Sequence, residues 1–252
     1  MSTGYPDISD LSGCLEGSSC FVVGSGPSLI DQDISQIHQF PVFTVNAGIL
    51  LMDWIDMGNP SNRYWLSNDS MCMVWDYFWD KVCRSRCRRV VRTSWLQFRD
   101  QFERYGFRYF EPRKTEPDQP LDEDDPGLSW ISSIPTALDL AIKTGCKRIF
   151  LLGMDHKLRD GKSHFWQFLP EEQHPKLRRS RSLYTPDVKE VTKFYDMNIP
   201  CFEQIKAFGE KKGVSIYNCT PDSAIKVFDY MDLENALSDL VQEEVSCDAA
   251  KS

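Results

Sequence analysis

Short apolar, β-branched runs alternate with longer segments of helical periodicity along most of this 252-residue chain. Parallel strands need crossover connections, usually helices, so this alternation favours a parallel sheet with helices on both faces. The predicted strands are residues 20–23, 42–45, 64–67, 89–92, 108–110, 148–152 and 214–217, and the predicted helices are residues 70–81, 95–105, 134–144, 201–212 and 233–243. The pattern predicts one α/β, Rossmann-like domain with a mostly parallel sheet over residues 1–245, followed by a flexible tail at residues 246–252.

The clearest repeat of this pattern is the helix-glycine-strand unit at residues 134–153. Ala137, Leu138 and Ala141 recur at helical spacing, Gly145 ends the helix, and an apolar strand follows. Ligands of open α/β sheets bind outside the carboxyl ends of the strands. The residues directly after this strand are therefore predicted to lie at the ligand-binding edge.

Composition and cysteine usage indicate a cytoplasmic protein without a membrane span. No apolar run reaches the roughly 18 to 20 residues that a spanning helix needs, and the N-terminus lacks the basic and apolar regions of a signal peptide. The nine cysteines are scattered, as in a reducing compartment. Cys83 and Cys87 have no second ligand pair at a suitable distance, which argues against zinc.

The net charge of -8 argues against general electrostatic attraction to nucleic acid. Two basic clusters nevertheless interrupt the acidic background, and they would suit either a polyanionic partner or a plain solvated surface. The first cluster contains Arg84, Arg86, Arg88, Arg89 and Arg92, and the second contains Lys176, Arg178, Arg179 and Arg181.

A glycine-rich loop follows the first predicted strand directly. It consists of Gly24, Ser25, Gly26, Pro27 and Ser28. The two glycines permit positive φ and close approach of a ligand, the proline presets a first helical turn, and the serines offer hydroxyls, so the loop is predicted to hold a phosphate. No lysine follows it as in a Walker A loop, and Leu29 replaces the third glycine of the dinucleotide fingerprint. A plain tight turn is the alternative.

Polar residues also end the next two strands. Asn46 follows the second strand, and Asn68 and Asp69 follow the third, which predicts that their side chains meet at the same sheet edge as the glycine loop. Such groups could bind a ribose, a base edge or a metal ion. Each alone could equally be a cap, with Asp69 or Ser70 beginning the following helix.

Two histidines and a carboxylate follow the strand at 148–152. Asp155 and His156 come first, and His164 lies a few residues later. A histidine titrates near neutrality and can transfer a proton, and a buried aspartate can fix its tautomer. These three residues are the predicted catalytic groups, with a purely structural loop as the alternative.

The motifs together resemble a known family. Six motifs occur in the same order as in a group of uncharacterised bacterial and phage proteins. They are GSGPSL after the first strand, TVNAG, YWLSND, IFLLGMDH, SHF and IYNCTPDSAIKVF. These proteins are grouped with the archaeal 6-hydroxymethylpterin pyrophosphokinases and, more distantly, with bacterial CMP-sialic acid-dependent sialyltransferases. The resemblance spans about residues 21–237.

The sialyltransferase branch implies a transferase with a nucleotide-linked donor. Carried over from that branch, Gly24, Gly26, Pro27, Ser28 and Asn46 would hold the cytidine nucleotide. Ser132 and Ser133 stand where the branch has a donor-binding Thr-Ser-Gly element, and Asp155 corresponds to its strand-end aspartate. The branch's tyrosines that assist the leaving phosphate are not evident, and His156 and His164 occupy that neighbourhood.

The pyrophosphokinase branch implies ATP and Mg²⁺, with Asp69 and Asp155 as metal carboxylates. Its second strand ends in aspartate where this chain has Asn46, which favours sugar transfer. We therefore predict a metal-independent glycosyltransferase that acts on a glycan or a modified nucleic-acid base and has no cofactor. The alternatives are an ATP-dependent pyrophosphokinase and a non-catalytic nucleotide-binding protein, and a homo-oligomer is left open.

Overall fold

The computed structural model describes residues 4–55, 62–114, 119–129 and 131–249. Within them, one eight-stranded sheet has the order β5-β4-β3-β2-β1-β6-β7-β8, and all of its strand pairs are parallel. The strands are β1 (Ser19–Val23), β2 (Val42–Val45), β3 (Arg63–Ser67), β4 (Arg88–Arg92), β5 (Phe107–Phe110), β6 (Arg148–Leu152), β7 (Ser215–Asn218) and β8 (Asp229–Tyr230). The predicted α/β, Rossmann-like sheet is confirmed, and only the two-residue β8 had no counterpart in the prediction.

The strand order reverses beside β1. The chain winds outward from β1 to β5, then returns to place β6 on the other side of β1, in register from Ser19 opposite Arg148 to Val23 opposite Leu152. The loops after β1 and β6 consequently leave the sheet side by side. In open α/β sheets, a crevice forms at such a switch point.

Both faces of the sheet are buried. Phe21, Val23 and Trp65 face one core, while Cys20 and Val22 face the other, as the two-residue period of a strand requires. The α-helices are α1 (Arg99–Phe102), α2 (Ser133–Lys143), α3 (Val188–Lys211) and α4 (Leu233–Ala249). Side chains of α2 and α3 pack into the second core, and α4 packs into the first, so helices cover both faces.

Short helical segments replace two of the predicted long helices. The predicted helix at 70–81 is divided at Trp75, which forms a β-bridge with Leu177, and the one at 95–105 is divided into three turns. The 3₁₀ helices are Ser9–Leu11, Pro27–Asp31, Ile34–Gln39, Asn46–Asp53, Ser70–Val74, Thr93–Phe98, Glu103–Tyr105, Phe165–Phe168 and Glu171–Gln173, and Phe78–Val82 is a π-helix.

Two helices are longer than predicted. Helix α3 begins at Val188 rather than at residue 201, because Asp187 caps it by accepting from the Lys189 N–H at 2.9 Å and Pro200 is accommodated inside it. Helix α4 continues to Ala249, past the end of the apolar periodicity and into the segment predicted as a tail. No helix of the described ranges is long and apolar enough to cross a bilayer.

The first basic cluster does not form one surface. The guanidinium of Arg89 is buried and donates to the carbonyls of Val82 and Tyr105, both at 2.7 Å. Arg88 lies over the Tyr64 ring, whereas Arg84 remains exposed. Part of this cluster therefore stabilises the fold and is not available to a polyanionic partner.

Candidate active site

A cleft of about 290 Å³ opens at the switch point between β1 and β6. Most of the residues singled out in the sequence meet there. The predicted residues that line it are Gly24, Ser25, Gly26, Asn46, Ser132, Ser133, Asp155, His156 and His164.

The glycine loop packs directly against the loop after β6. The N–H of Gly24 donates to the Leu152 carbonyl at 2.8 Å, and that of Gly26 donates to the Gly153 carbonyl at 3.0 Å. A Cβ on Gly26 would lie 2.0 Å from Asp155 Oδ2, and one on Gly24 would lie 2.6 Å from the Gly153 oxygen. Gly26 has φ of -66° and does not use the positive φ that a glycine permits, so the glycines are needed for close packing within the protein.

Asp155 ties the two loops together. Its carboxylate accepts from the Ser28 N–H at 3.0 Å and from the Ser28 hydroxyl at 2.8 Å, and the side chain is almost fully buried. Burial raises the pKa of this carboxyl, against the lowering effect of the two Ser28 hydrogen bonds. Asp155 therefore does not orient an imidazole as predicted, and the Ser28 N–H and hydroxyl are occupied by this carboxylate.

Gly26→Ala is expected to lower the free energy of unfolding by about 2 to 3 kcal/mol, because the added methyl group collides with Asp155 and with the Gly153 backbone. The sequence predicts that a ligand comes close to this loop, but at Gly26 the space that a side chain would fill is occupied by Asp155 and the Gly153 backbone. Chemical denaturation measures the effect. Gly209→Ala is the control, since its Cβ would meet atoms no closer than 3.5 Å and helix propensity favours alanine. Equal stability of the two variants would contradict this packing role.

The N-terminus of α2 also faces the cleft. Ser132 is its N-cap residue, and Ser132, Ser133 and Ile134 line the cavity. The amides of Ser133 and Ile134 precede the first intrahelical hydrogen bond, and no acceptor for them lies among the described residues. The next residue, Pro135, has no N–H. The positive end of the α2 dipole thus offers two amides to an anion in the cleft.

Two cleft residues adopt left-handed backbone conformations. Asn46 has φ of 47° and His156 has φ of 46°. The Asn46 side-chain oxygen accepts from the Ser67 hydroxyl at 2.8 Å, and its carbonyl accepts from Trp65 Nε1 at 2.8 Å. Asparagine adopts this conformation readily, but a histidine there is strained, and such strain concentrates at functional sites.

Both histidines are held neutral. His164 Nδ1 lies 3.1 Å from the Ser25 hydroxyl, and its ring stacks on Trp166. His156 stacks on Tyr195 at a centroid distance of 4.7 Å, and its Nδ1 has no partner among the described residues. Burial lowers the pKa of each imidazole to about 4. The expected titration near neutrality is therefore wrong, and at pH 7 each imidazole is neutral, so it can accept a proton but cannot act as an imidazolium acid.

The same burial predicts a pH-dependent stability. Between about pH 6.5 and pH 4 the unfolded chain binds protons at these histidines and the folded chain does not, so the free energy of unfolding falls as the pH is lowered. We expect a loss on the order of 3 kcal/mol from His164, and less from the more accessible His156. Denaturation of the parent and of His164→Gln at pH 7 and pH 4.5 measures it, and equal losses in both would contradict it.

Four predicted residues lie elsewhere. Asn68 bonds through Nδ2 to the Thr136 hydroxyl on α2 at 2.9 Å, which links β3 to that helix. Asp69 accepts from the Met71 N–H at 2.8 Å and caps Ser70–Val74, as the alternative interpretation had it. Pro27 begins the 3₁₀ helix behind the loop, and Ser28 is bonded to Asp155. None of these four lines the cleft.

Helix α3 contributes cleft residues that the sequence analysis missed. Phe194, Tyr195 and Asn198 lie in its first half and line the cavity. They were missed because the helix was predicted to begin after Pro200, although the spacing of Tyr195 and Asn198 puts both on one helix face. Burial raises the pKa of Tyr195 to about 12. A tyrosine thus lines the cleft, although none was evident in the sequence motifs.

Comparisons with known proteins place the fold. No protein-family model matches the sequence, and no curated protein matches it, so the resemblance to the pyrophosphokinase family gains no support. The MAf glycosyltransferase from Magnetospirillum magneticum AMB-1 superposes with a TM-score of 0.53 at 15% identity, covering 93% of this chain and 38% of that one. This chain thus spans less than half of that protein.

The sialyltransferase CstII from Campylobacter jejuni, solved with CMP-3FNeuAc, gives a TM-score of 0.46 at 12% identity, covering 85% of this chain and 86% of that one. The same enzyme with a trisaccharide acceptor and CMP gives 0.43 at 12% identity, covering 84% of each chain. At such low identity a structural likeness speaks for the fold alone. The superposition on the MAf glycosyltransferase, with a TM-score of 0.53, shows that this chain shares the α/β fold of that protein.

Proposed function

We propose that this chain is a transferase with a nucleotide-linked donor, and that it is a glycosyltransferase. The observation that carries the proposal is the cleft at the switch point, where the N-terminus of α2 presents the amides of Ser133 and Ile134 beside Asn46 and the strained His156. An anion-binding helix end at the ligand edge of a parallel sheet suits a nucleotide phosphate. The shared fold with a glycosyltransferase favours sugar as the transferred group.

The donor would lie along this cleft with its phosphates at the start of α2. Ser132, Ser133 and Asn46 would hold the nucleoside, and the rings of Phe194 and Tyr195 would cover the opposite side. The neutral imidazole of His164 or His156 would accept the proton of the acceptor hydroxyl as the glycosidic bond forms. The Tyr195 hydroxyl remains protonated at neutral pH and would donate a hydrogen bond to the departing phosphate.

A thermal-shift screen of nucleotides and nucleotide sugars tests this proposal. A ligand at a hundred times its dissociation constant stabilises the fold by about 2.7 kcal/mol. Ser132→Asp is the matched variant, because aspartate is as good an N-cap as serine but places a negative charge where the phosphate would bind. We expect stabilisation of the parent by a cytidine or uridine nucleotide and none of this variant. A parent that no nucleotide stabilises would contradict the proposal.

We also propose that transfer needs no metal ion, and we expect EDTA to leave turnover unchanged. Asp155 is the one carboxylate among the described residues that line the cleft, and both its oxygens already accept from Ser28. Asp69 caps a helix outside the cleft, and the described residues hold no cluster of three metal-ligating side chains. Loss of turnover on chelation, restored by Mg²⁺, would instead support the pyrophosphokinase alternative, since Mg²⁺ neutralises transferring phosphates.

A further inference from the structure

A second cavity, of about 260 Å³, lies outside the cleft and shares none of its lining residues. It carries an excess of acidic side chains next to aromatic ones. Its lining includes Asp53, Trp54, Asp76, Tyr77, Asp80 and Glu172.

Two chain segments join this acidic cavity to the cleft. The 3₁₀ helix Asn46–Asp53 places Asn46 in the cleft and Asp53 in the cavity. The other segment places His164 in the cleft and, after a 3₁₀ turn, Leu169 in the cavity. At about 2 Å of rise per residue, the helix spans roughly 15 Å, so the cavity lies within reach of a ligand extended from the cleft.

Tyr77 indicates that the acidic cavity binds something polar. Its side chain lines the cavity and is only 6% exposed, yet its hydroxyl has no hydrogen-bond partner among the described residues. Burial raises the pKa of this phenol well above its usual range, so it stays a hydrogen-bond donor at neutral pH. The hydroxyl oxygen is not among the fully buried polar atoms, so it is open to the cavity, where an oxygen of a bound ligand can accept its hydrogen bond.

The charges of the cavity favour a cation. Asp53 pairs with Lys81, and Asp76 lies 3.5 Å from the Arg181 guanidinium. Asp80 has only a loose contact of 3.9 Å with Arg84, and Glu172 is exposed with no ion pair within the described ranges. Two carboxylates are thus incompletely compensated. The Trp54 ring beside them offers the kind of face that attracts a cation.

We propose that this cavity binds the acceptor through a protonated primary amine on a sugar residue. Glu172 and Asp80 receive the ammonium group, the Tyr77 hydroxyl donates to a ring or hydroxyl oxygen, and Trp54 covers the pyranose. The inference rests on the proposed function in that the bound sugar is the acceptor, but the binding step needs no donor. An acidic glycan is disfavoured because its carboxylates would face Glu172 and Asp80.

Binding of two tetrasaccharides to the full chain, measured by isothermal titration calorimetry without nucleotide, tests the proposal. The probes are the glucosamine tetramer and its N-acetylated form, which differ in charge and share a backbone. We expect the amine form to bind at least about tenfold more tightly than the N-acetylated form, because a charge-assisted hydrogen bond contributes this much. Its affinity should fall as the salt concentration rises. Equal binding of the two forms, or tighter binding of a heparin tetrasaccharide, would overturn the proposal.

Matched variants locate the contact. The double variant Glu172→Gln, Asp80→Asn should remove the preference for the amine form. Tyr77→Phe should weaken the binding of both tetrasaccharides. Glu171→Gln, outside the cavity, should leave the binding of both unchanged. Spermidine bound as tightly as the glucosamine tetramer would overturn the sugar assignment. Nucleotide stabilisation in the thermal-shift screen should be the same in all these variants. If the amine form binds but no nucleotide does, the proposed amine site would stand and only the glycosyltransferase proposal would be contradicted.

Discussion

Asp139→Asn is expected to lower the free energy of unfolding by about 3 to 5 kcal/mol, the cost typical of leaving one partner of a buried ion pair alone. The Asp139 carboxylate on α2 accepts from Arg113 Nε at 2.7 Å and from Arg113 Nη2 at 2.9 Å, and both side chains are 1% exposed or less. It also accepts from the Ser129 N–H at 2.7 Å. The substitution would leave the Arg113 charge buried without a counter-ion.

Chemical denaturation of Asp139→Asn beside Asp10→Asn measures this effect. Asp10 forms a comparable bidentate pair with Arg108, but its side chain is 53% exposed, so its loss should cost less than about 1 kcal/mol. Replacing both Arg113 and Asp139 by apolar residues should cost less than the sum of the single changes, since no charge remains buried. Similar losses for Asp139→Asn and Asp10→Asn would contradict this account.

The Arg113–Asp139 ion pair also affects the candidate active site. Arg113 also donates to the carbonyl of Asp122 at 2.5 Å, and this hydrogen bond holds the segment that precedes α2 against the ion pair. Ser132 and Ser133 begin that helix and line the cleft. We therefore expect Asp139→Asn to weaken nucleotide binding as well, through movement of the helix start.

His164→Ala is expected to lower turnover by about a hundred- to ten-thousand-fold if its imidazole is the base, with little change in donor affinity. Its Nδ1 contacts the Ser25 hydroxyl at the cleft, and its lowered pKa of about 4 keeps it able to accept a proton throughout the neutral range. His156→Ala is expected to have an effect of the same size if that imidazole is the base instead.

Steady-state turnover and direct nucleotide binding, measured on each variant once a substrate is known, separate these roles. His38→Ala is the control, because His38 is exposed and lies outside the cleft, and the hydrogen bond of its ring is a local one to the Ser35 carbonyl. In the parent, kcat/KM should fall only as the pH drops toward 4, where the base becomes protonated. Turnover within a few fold of the parent in both histidine variants would assign this loop a structural role.

Strand positions were predictable because each buried strand is a short apolar run bounded by polar or glycine residues. The interrupted helices were harder to predict. The run at 70–81 has helical periodicity, but Trp75 pairs with Leu177, about a hundred residues away in the sequence, and that pairing divides it. Helix α3 shows the reverse case, since Pro200 marked a boundary in the sequence but is tolerated inside the helix.

Local sequence thus determined the parallel α/β layout and the convergence of Gly24, Asn46, Ser133 and His156 at one sheet edge, because strand ends follow from local patterns and parallel strands end on the same side. Only the tertiary structure decided what these groups do there. It showed that Gly26 and the Asp155 carboxylate hold the two loops together, and that Tyr195 of α3 lines the cleft. It also lowered the pKa of both histidines, because close approach and burial depend on atoms that are remote in the sequence.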